Sequence, residues 1–132
     1  DRISHSFRTL VSLQVAHLLV KNFQQGGPPL KPSRIASDLG LPLRLATEVL
    51  DSLMDAGLAV GVAMEDPERK AYQPAKAIDL YTIASVIEAL ESFGVSNILV
   101  PRTQSMERIL ESLRSFSELV EGSAANVKLK DL

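Results

Sequence analysis

The chain has 132 residues, a formal net charge of −2, and neither cysteine nor tryptophan. That length suits one domain with a buried core, and with aromatics at 5% the core must come from Leu, Ile, Val and Ala. The missing cysteines exclude disulfides, thiolate zinc sites, cysteine-ligated iron–sulfur clusters and a cysteine nucleophile, and two histidines cannot build a His-rich metal site.

Residues from about Ser4 to Phe23 read as a helix, with Phe7, Leu10, Val11, Leu18 and Leu19 at helical spacing. Leu13, Val15 and Val20 widen the apolar surface beyond one stripe, so this helix either sits centrally or touches something beyond the domain. The stretch from Gln24 to Pro29 stops it, and the proline pair holds the chain extended. Ser33 is an N-cap for a short helix through Leu39, with Gly40 after its end. Pro42 opens a helix to about Ala56, with Ala46, Val49, Leu50, Leu53 and Met54 on one face. The pair, joined by Gly40-Leu41-Pro42, forms a helix-turn-helix pattern.

Leu58, Val60, Val62 and Met64 alternate with small residues and read as a strand. Glu65 to Glu68 turn, and Lys70 to Gln73 return before Pro74. A helix from about Thr82 to Phe93 carries Ile83, Val86, Ile87 and Leu90. The apolar run Ile98-Leu99-Val100 precedes Pro101. Ser105 caps a last helix to about Glu121, striped by Met106, Ile109, Leu110, Leu113, Phe116 and Val120. Residues 122–126 read as loose, and residues 127–132 as a short strand or a mobile end.

The expected fold is mainly α: a winged helix-turn-helix with a small two-stranded β-hairpin and a C-terminal helical extension. Residues 1–74 hold the N-terminal helix and the winged helix, and residues 75–132 the extension, packed on it in one compact domain. No stretch approaches the ~20 apolar residues that span a bilayer. The chain begins at Asp1 rather than Met, as expected of a processed or excised segment.

In DNA-binding helix-turn-helix proteins the second helix enters the major groove. Off its apolar stripe this one carries Arg44, Thr47, Glu48, Asp51, Ser52 and Asp55, one cation against three carboxylates. The hairpin tip, Glu65 to Lys70, has three acids and two bases. Against the phosphate charge of a duplex such a face is repulsive, and Lys31 and Arg34 add only a small attractive term, so DNA is an unlikely partner on this count. Glu48, Asp51 and Asp55 read as a solvated acidic face or as a dock for a basic partner, not as a shaped calcium site. His5 and His17 fall about 120° apart on their helix and do not face each other. No catalytic, cofactor-binding or metal-binding residue is indicated, and no small-molecule ligand.

Four stretches resemble the C-terminal cytoplasmic region of the YihY/BrkB family of bacterial inner-membrane proteins, which carry the old label ribonuclease BN-like. They are Arg2 to Arg8 leading into the Gly-Gly-Pro-Pro-Leu run; Leu41 to Ala46 with Val49-Leu50 and Ala56-Gly57-Leu58; Ala71-Tyr72-Gln73-Pro74-Ala75 with Asp79; and the end from Asn126 to Leu132. The resemblance implies several transmembrane helices before Asp1 and a domain hanging from the cytoplasmic face of the inner membrane. The winged-helix stretch also looks like iron–sulfur-cluster-sensing repressors, in which a helix after the wing pairs two subunits; this chain lacks their cysteines.

The leading expectation is therefore a non-catalytic accessory or regulatory domain of a polytopic membrane protein, acting by protein–protein contacts. Its candidate surfaces are the helix face of Arg44, Glu48, Asp51 and Asp55, and the stripe of Met106, Ile109, Leu113 and Phe116. The partner would be the membrane-embedded portion of the same protein or a second copy, although internal packing is the expected use of that stripe. A winged-helix transcription regulator is the alternative, and a tRNA-processing ribonuclease the second.

Overall fold

A computed structural model describes residues 3–65, 70–92 and 101–132. Five helices and one hairpin occur among them: α1 His5–Gln24, α2 Pro32–Leu39, α3 Leu43–Asp55, β1 Ala59–Ala63, β2 Lys70–Pro74, α4 Ile83–Ser92 and α5 Gln104–Glu121. Ile78–Leu80 and Leu129–Asp131 form single 3-10 turns. The arrangement is the winged helix-turn-helix with a helical extension. No helix of the described residues is long and apolar enough to cross a membrane.

Helix α1 takes the central place. Val11, Val15, Ala16, Leu19 and Val20 are buried on it, packed with Ile35 of α2, Val49, Leu50 and Leu53 of α3, and Val86 of α4. Phe7 and Leu10, at its N-terminal end, remain about half exposed. Ser4 caps it by accepting the amide of Phe7 at 3.1 Å.

Two caps differ from expectation. The N-cap of α2 is Lys31, because Pro32 occupies the first helical position with its φ already set and places Ser33 inside the helix. The N-cap of α5 is Thr103, whose hydroxyl accepts the amide of Met106 at 3.1 Å, two residues before Ser105. Gly40 ends α2 at φ +66°, a left-handed conformation that favours glycine and redirects the chain into α3.

The hairpin pairs antiparallel from Ala59 opposite Pro74 to Ala63 opposite Lys70. Leu30 adds a third partner, exchanging both backbone hydrogen bonds with Tyr72 at 2.9 and 2.7 Å. The extended Pro28-Pro29 stretch delivers it there. Val60 is exposed rather than inward, so the period-two reading of β1 fails at that position. The expected turn at Glu65 to Glu68, apart from Glu65, and the Ile98-Leu99-Val100 run lie outside the described residues.

The C-terminal end is docked. Leu129 is fully buried, its amide bonds to Tyr81 O at 2.9 Å, and Thr82 and Lys128 form a bridge. Lys21 Nζ of α1 donates to Lys130 O at 3.0 Å. Asn126 ties two helices: its Oδ1 accepts from Ala84 N at 2.8 Å and its Nδ2 donates to Glu121 O at 3.2 Å. Asp79 sits against Lys130 at 2.7 Å and Lys128 at 3.3 Å. Those two ammonium groups hold its carboxyl below the ordinary range, and Asp79 in turn raises Lys130.

Candidate nucleic-acid interface

The exposed end of α3 is its N-terminus. Leu41 and Pro42 lead in from Gly40, and the buried stripe of Leu45, Ala46, Val49, Leu50 and Leu53 turns the opposite face outward. That face begins with Leu43, 54% exposed, then Arg44 and Thr47. The Thr47 hydroxyl donates to Leu43 O at 2.9 Å, so its donor is engaged within the helix.

Glu48 does not stand free. Arg44 Nε donates to its Oε2 at 3.2 Å, one turn away, and Arg8 of α1 reaches its Oε1 at 3.5 Å. The three side chains together carry one net positive charge. The Arg44 side chain is 85% exposed even so. Arg8 was missing from the sequence-based charge count, because nothing in the spacing of residues 8 and 48 announces that α1 crosses α3 there.

Asp51 and Asp55 are exposed farther along the same helix. At 1.5 Å per residue they rise about 4.5 and 10.5 Å beyond Glu48, so Asp51 lies within a Debye length of the ion pair and Asp55 at about its limit. Burial, and to a lesser degree the Asp51 carboxylate, pushes the Tyr72 phenol up. The four residues singled out on this face therefore divide: Arg44 and Glu48 form one ion-paired unit, and Asp51 and Asp55 follow it toward the C-terminal end without joining the pair.

A second cationic feature lies at the start of α2. Lys31 and Arg34 flank the start of α2, and with Pro28, Pro29, Leu30, Ser33 and Met64 they line an open groove of about 440 Å³ where α2 meets the hairpin. Arg34 pairs with Asp38 at 3.1 Å. Pro32 has no amide hydrogen and the amides of Arg34 and Ile35 already donate to Lys31 O, so what this groove offers an anion is the charge of Lys31 and Arg34.

The α5 stripe is not packed internally. Met106 and Leu110 are half-buried, but Ile109, Leu113, Phe116, Leu119 and Val120 are 52–71% exposed, and no residue of this helix is buried. The expected internal packing is thus corrected: α5 leans on α4 and leaves an open groove between them, lined by Ala84, Ile87, Leu113, Phe116 and Val120. Among the described residues no group of three or more His, Asp or Glu could hold a metal ion.

No family model and no curated protein sequence matches the chain, so the YihY/BrkB resemblance rests on the four sequence stretches alone. Solved structures do match. IscR from T. potens is 17% identical with a TM-score of 0.61, over 99% of this chain and 85% of that one. CymR, named as the global cysteine regulator of B. subtilis, is 19% identical at 0.63, over 99% and 95%. CymR of Staphylococcus aureus is 14% identical at 0.56, over 93% and 92%.

These matches overturn the leading functional expectation. An accessory domain of a polytopic membrane protein, partnered by its own membrane portion and not by DNA, is not what the fold resembles. The resemblance covers almost the whole of this chain, and two of the matched structures, CymR of B. subtilis and a protein of Listeria innocua, are named as regulators. The electrostatic objection to DNA fails for a physical reason. It counted the whole of α3 together with the hairpin tip, most of which lies outside the described residues, whereas a recognition helix meets base edges with its N-terminal residues. At that end Glu48 is neutralised by two arginines.

Proposed function

We infer that the chain is a DNA-binding transcription regulator of winged-helix type, acting in the cytoplasm as a homodimer. The observation that carries this reading is the likeness, over almost all of both chains, to a protein named as a global regulator. The cationic N-terminal end of α3 and the groove at the start of α2 supply the base-facing and phosphate-facing surfaces such a role needs. The bare apolar stripe of α5 supplies the dimer seam. A second copy of α5 lying antiparallel about Leu113 would set Met106 against Val120 and Leu110 against Phe116. Pairing two modules matters here because each one's positive charge is small, and doubling the phosphate contacts doubles the electrostatic term.

The test is fluorescence-anisotropy binding of the purified chain to genomic fragments across a salt series. Sequence-selective binding that weakens with salt, with a slope of about −0.9 per phosphate neutralised, supports the reading. Equal, feeble binding to all fragments at every salt concentration refutes it.

A further inference from the structure

We propose that Arg44 reads a guanine in the target DNA and that Glu48 is the positioning residue that aims it; this rests on the DNA-binding reading above. The geometry is specific. Glu48 Oε2 takes the Nε–H of Arg44 at 3.2 Å, which leaves both terminal amino groups of the guanidinium unengaged by that carboxylate at the outer end of an 85% exposed side chain. Two parallel donors at the tip of an arginine match O6 and N7 of guanine in the major groove. An unbuttressed arginine would sample many rotamers and contact phosphates as readily as bases. A carboxylate one helical turn on restricts that freedom and keeps the fork at a fixed height above the helix.

A glutamate at a DNA-facing surface would ordinarily repel phosphates. Here Arg8 answers that charge from a separate helix, at 3.5 Å from the other carboxylate oxygen. The trio therefore orients Arg44 while remaining net cationic. Leu43 and Thr47 flank the arginine on the same face. Leu43 is apolar and exposed, and the hydroxyl donor of Thr47 is engaged with Leu43 O, so both suit thymine methyl groups beside the guanine.

The experiment is selection of bound sequences from a randomised duplex library by the full chain, followed by anisotropy titrations of the selected site and its single-base variants. The chains compared are the unchanged protein, Arg44→Ala and Glu48→Gln. Arg44 is exposed and Glu48 partly buried, and circular dichroism melts check the folding of each variant. The unchanged protein is expected to require a guanine in each half-site, preferring it about 5- to 150-fold over other bases, the value of one bidentate arginine–guanine pair. Arg44→Ala loses that preference at this position alone. Glu48→Gln moves two quantities in opposite directions: non-specific affinity rises, because one negative charge is removed, while the guanine preference falls about two- to five-fold, in line with the loss of an exposed ion pair.

Selection of a site with no required guanine, or a guanine preference that survives Arg44→Ala, overturns the proposal and leaves the DNA-binding reading standing. A Glu48→Gln variant that binds all sequences more tightly with its preference intact shows Glu48 to be a mere repulsive acid and overturns its positioning role. Absence of salt-sensitive, sequence-selective binding by the unchanged protein removes both readings together.

Discussion

Tyr81 is the joint between the wing and the helical extension, and Tyr81→Phe tests that role with a single oxygen atom. The ring is 1% exposed, and its hydroxyl donates to Leu58 O at 2.6 Å and accepts from Ala75 N at 3.1 Å. Leu58 lies just before β1 and Ala75 just after β2, so one side chain from the extension pins both feet of the hairpin. Ala75 N is also 3.2 Å from Leu58 O, so each backbone group keeps one partner when the hydroxyl goes. The loss is then about one buried hydrogen bond and a small void, roughly 1–2 kcal/mol, and not the larger penalty of two orphaned groups. For a chain of this size that corresponds to a fall in Tm of roughly 4–8 °C. Truncation to alanine removes the ring as well and should cost about 3–5 kcal/mol. Urea unfolding followed by circular dichroism measures both. A Tyr81→Phe variant as stable as the parent would show that the hydroxyl is satisfied elsewhere and that the wing is not held by it. Burial holds this phenol up, so it stays protonated and able to donate throughout the neutral range.

Three further outcomes are expected. Leu129→Ala should cost about 2–5 kcal/mol, because the side chain is fully buried near the chain's end; an undiminished urea midpoint would show the tail to be dispensable to the core. Phe116→Glu should leave the melting of the monomer unit within about 0.5 kcal/mol, since nothing internal buries that ring, yet convert a dimer to a monomer in light scattering; an unchanged mass would place the dimer seam elsewhere. The pairing of Asp79 with Lys130 sets a pH window. The depressed carboxyl stabilises the docked tail above its ordinary value of 3.8 and loses that effect as pH falls through its lowered value. The raised ammonium contributes below its ordinary 10.5 and loses its effect as pH rises through its raised value. Leu129 methyl shifts should therefore be constant across neutral pH and move at both extremes, and Asp79→Asn should remove the acid-side change; an identical profile in that variant would refute the linkage.

Local chemistry determined much of this molecule. Helical periodicity placed α1, α3, α4 and α5, Gly40 marked the turn between α2 and α3, and the alternation after Gly57 marked the hairpin. Each of those signals is written within a few residues, so no distant contact is needed to read it. The same is true of Arg44 and Glu48, one turn apart on a helix.

Only the tertiary structure decided which charges count and which apolar faces are covered. Arg8 reaches Glu48 across 40 residues of chain, and that contact turns an apparently acidic face into a cationic tip. The α5 stripe has the pattern of a core helix, but no other part of the described chain closes over it, and its apolar residues stand in solvent. Leu129 has the reverse character, an end that could have been loose but fills the core beside Tyr81. Amphipathic spacing reports that a face is apolar, and composition reports how many charges there are. Neither reports what the fold brings opposite them, because that depends on where separate elements cross.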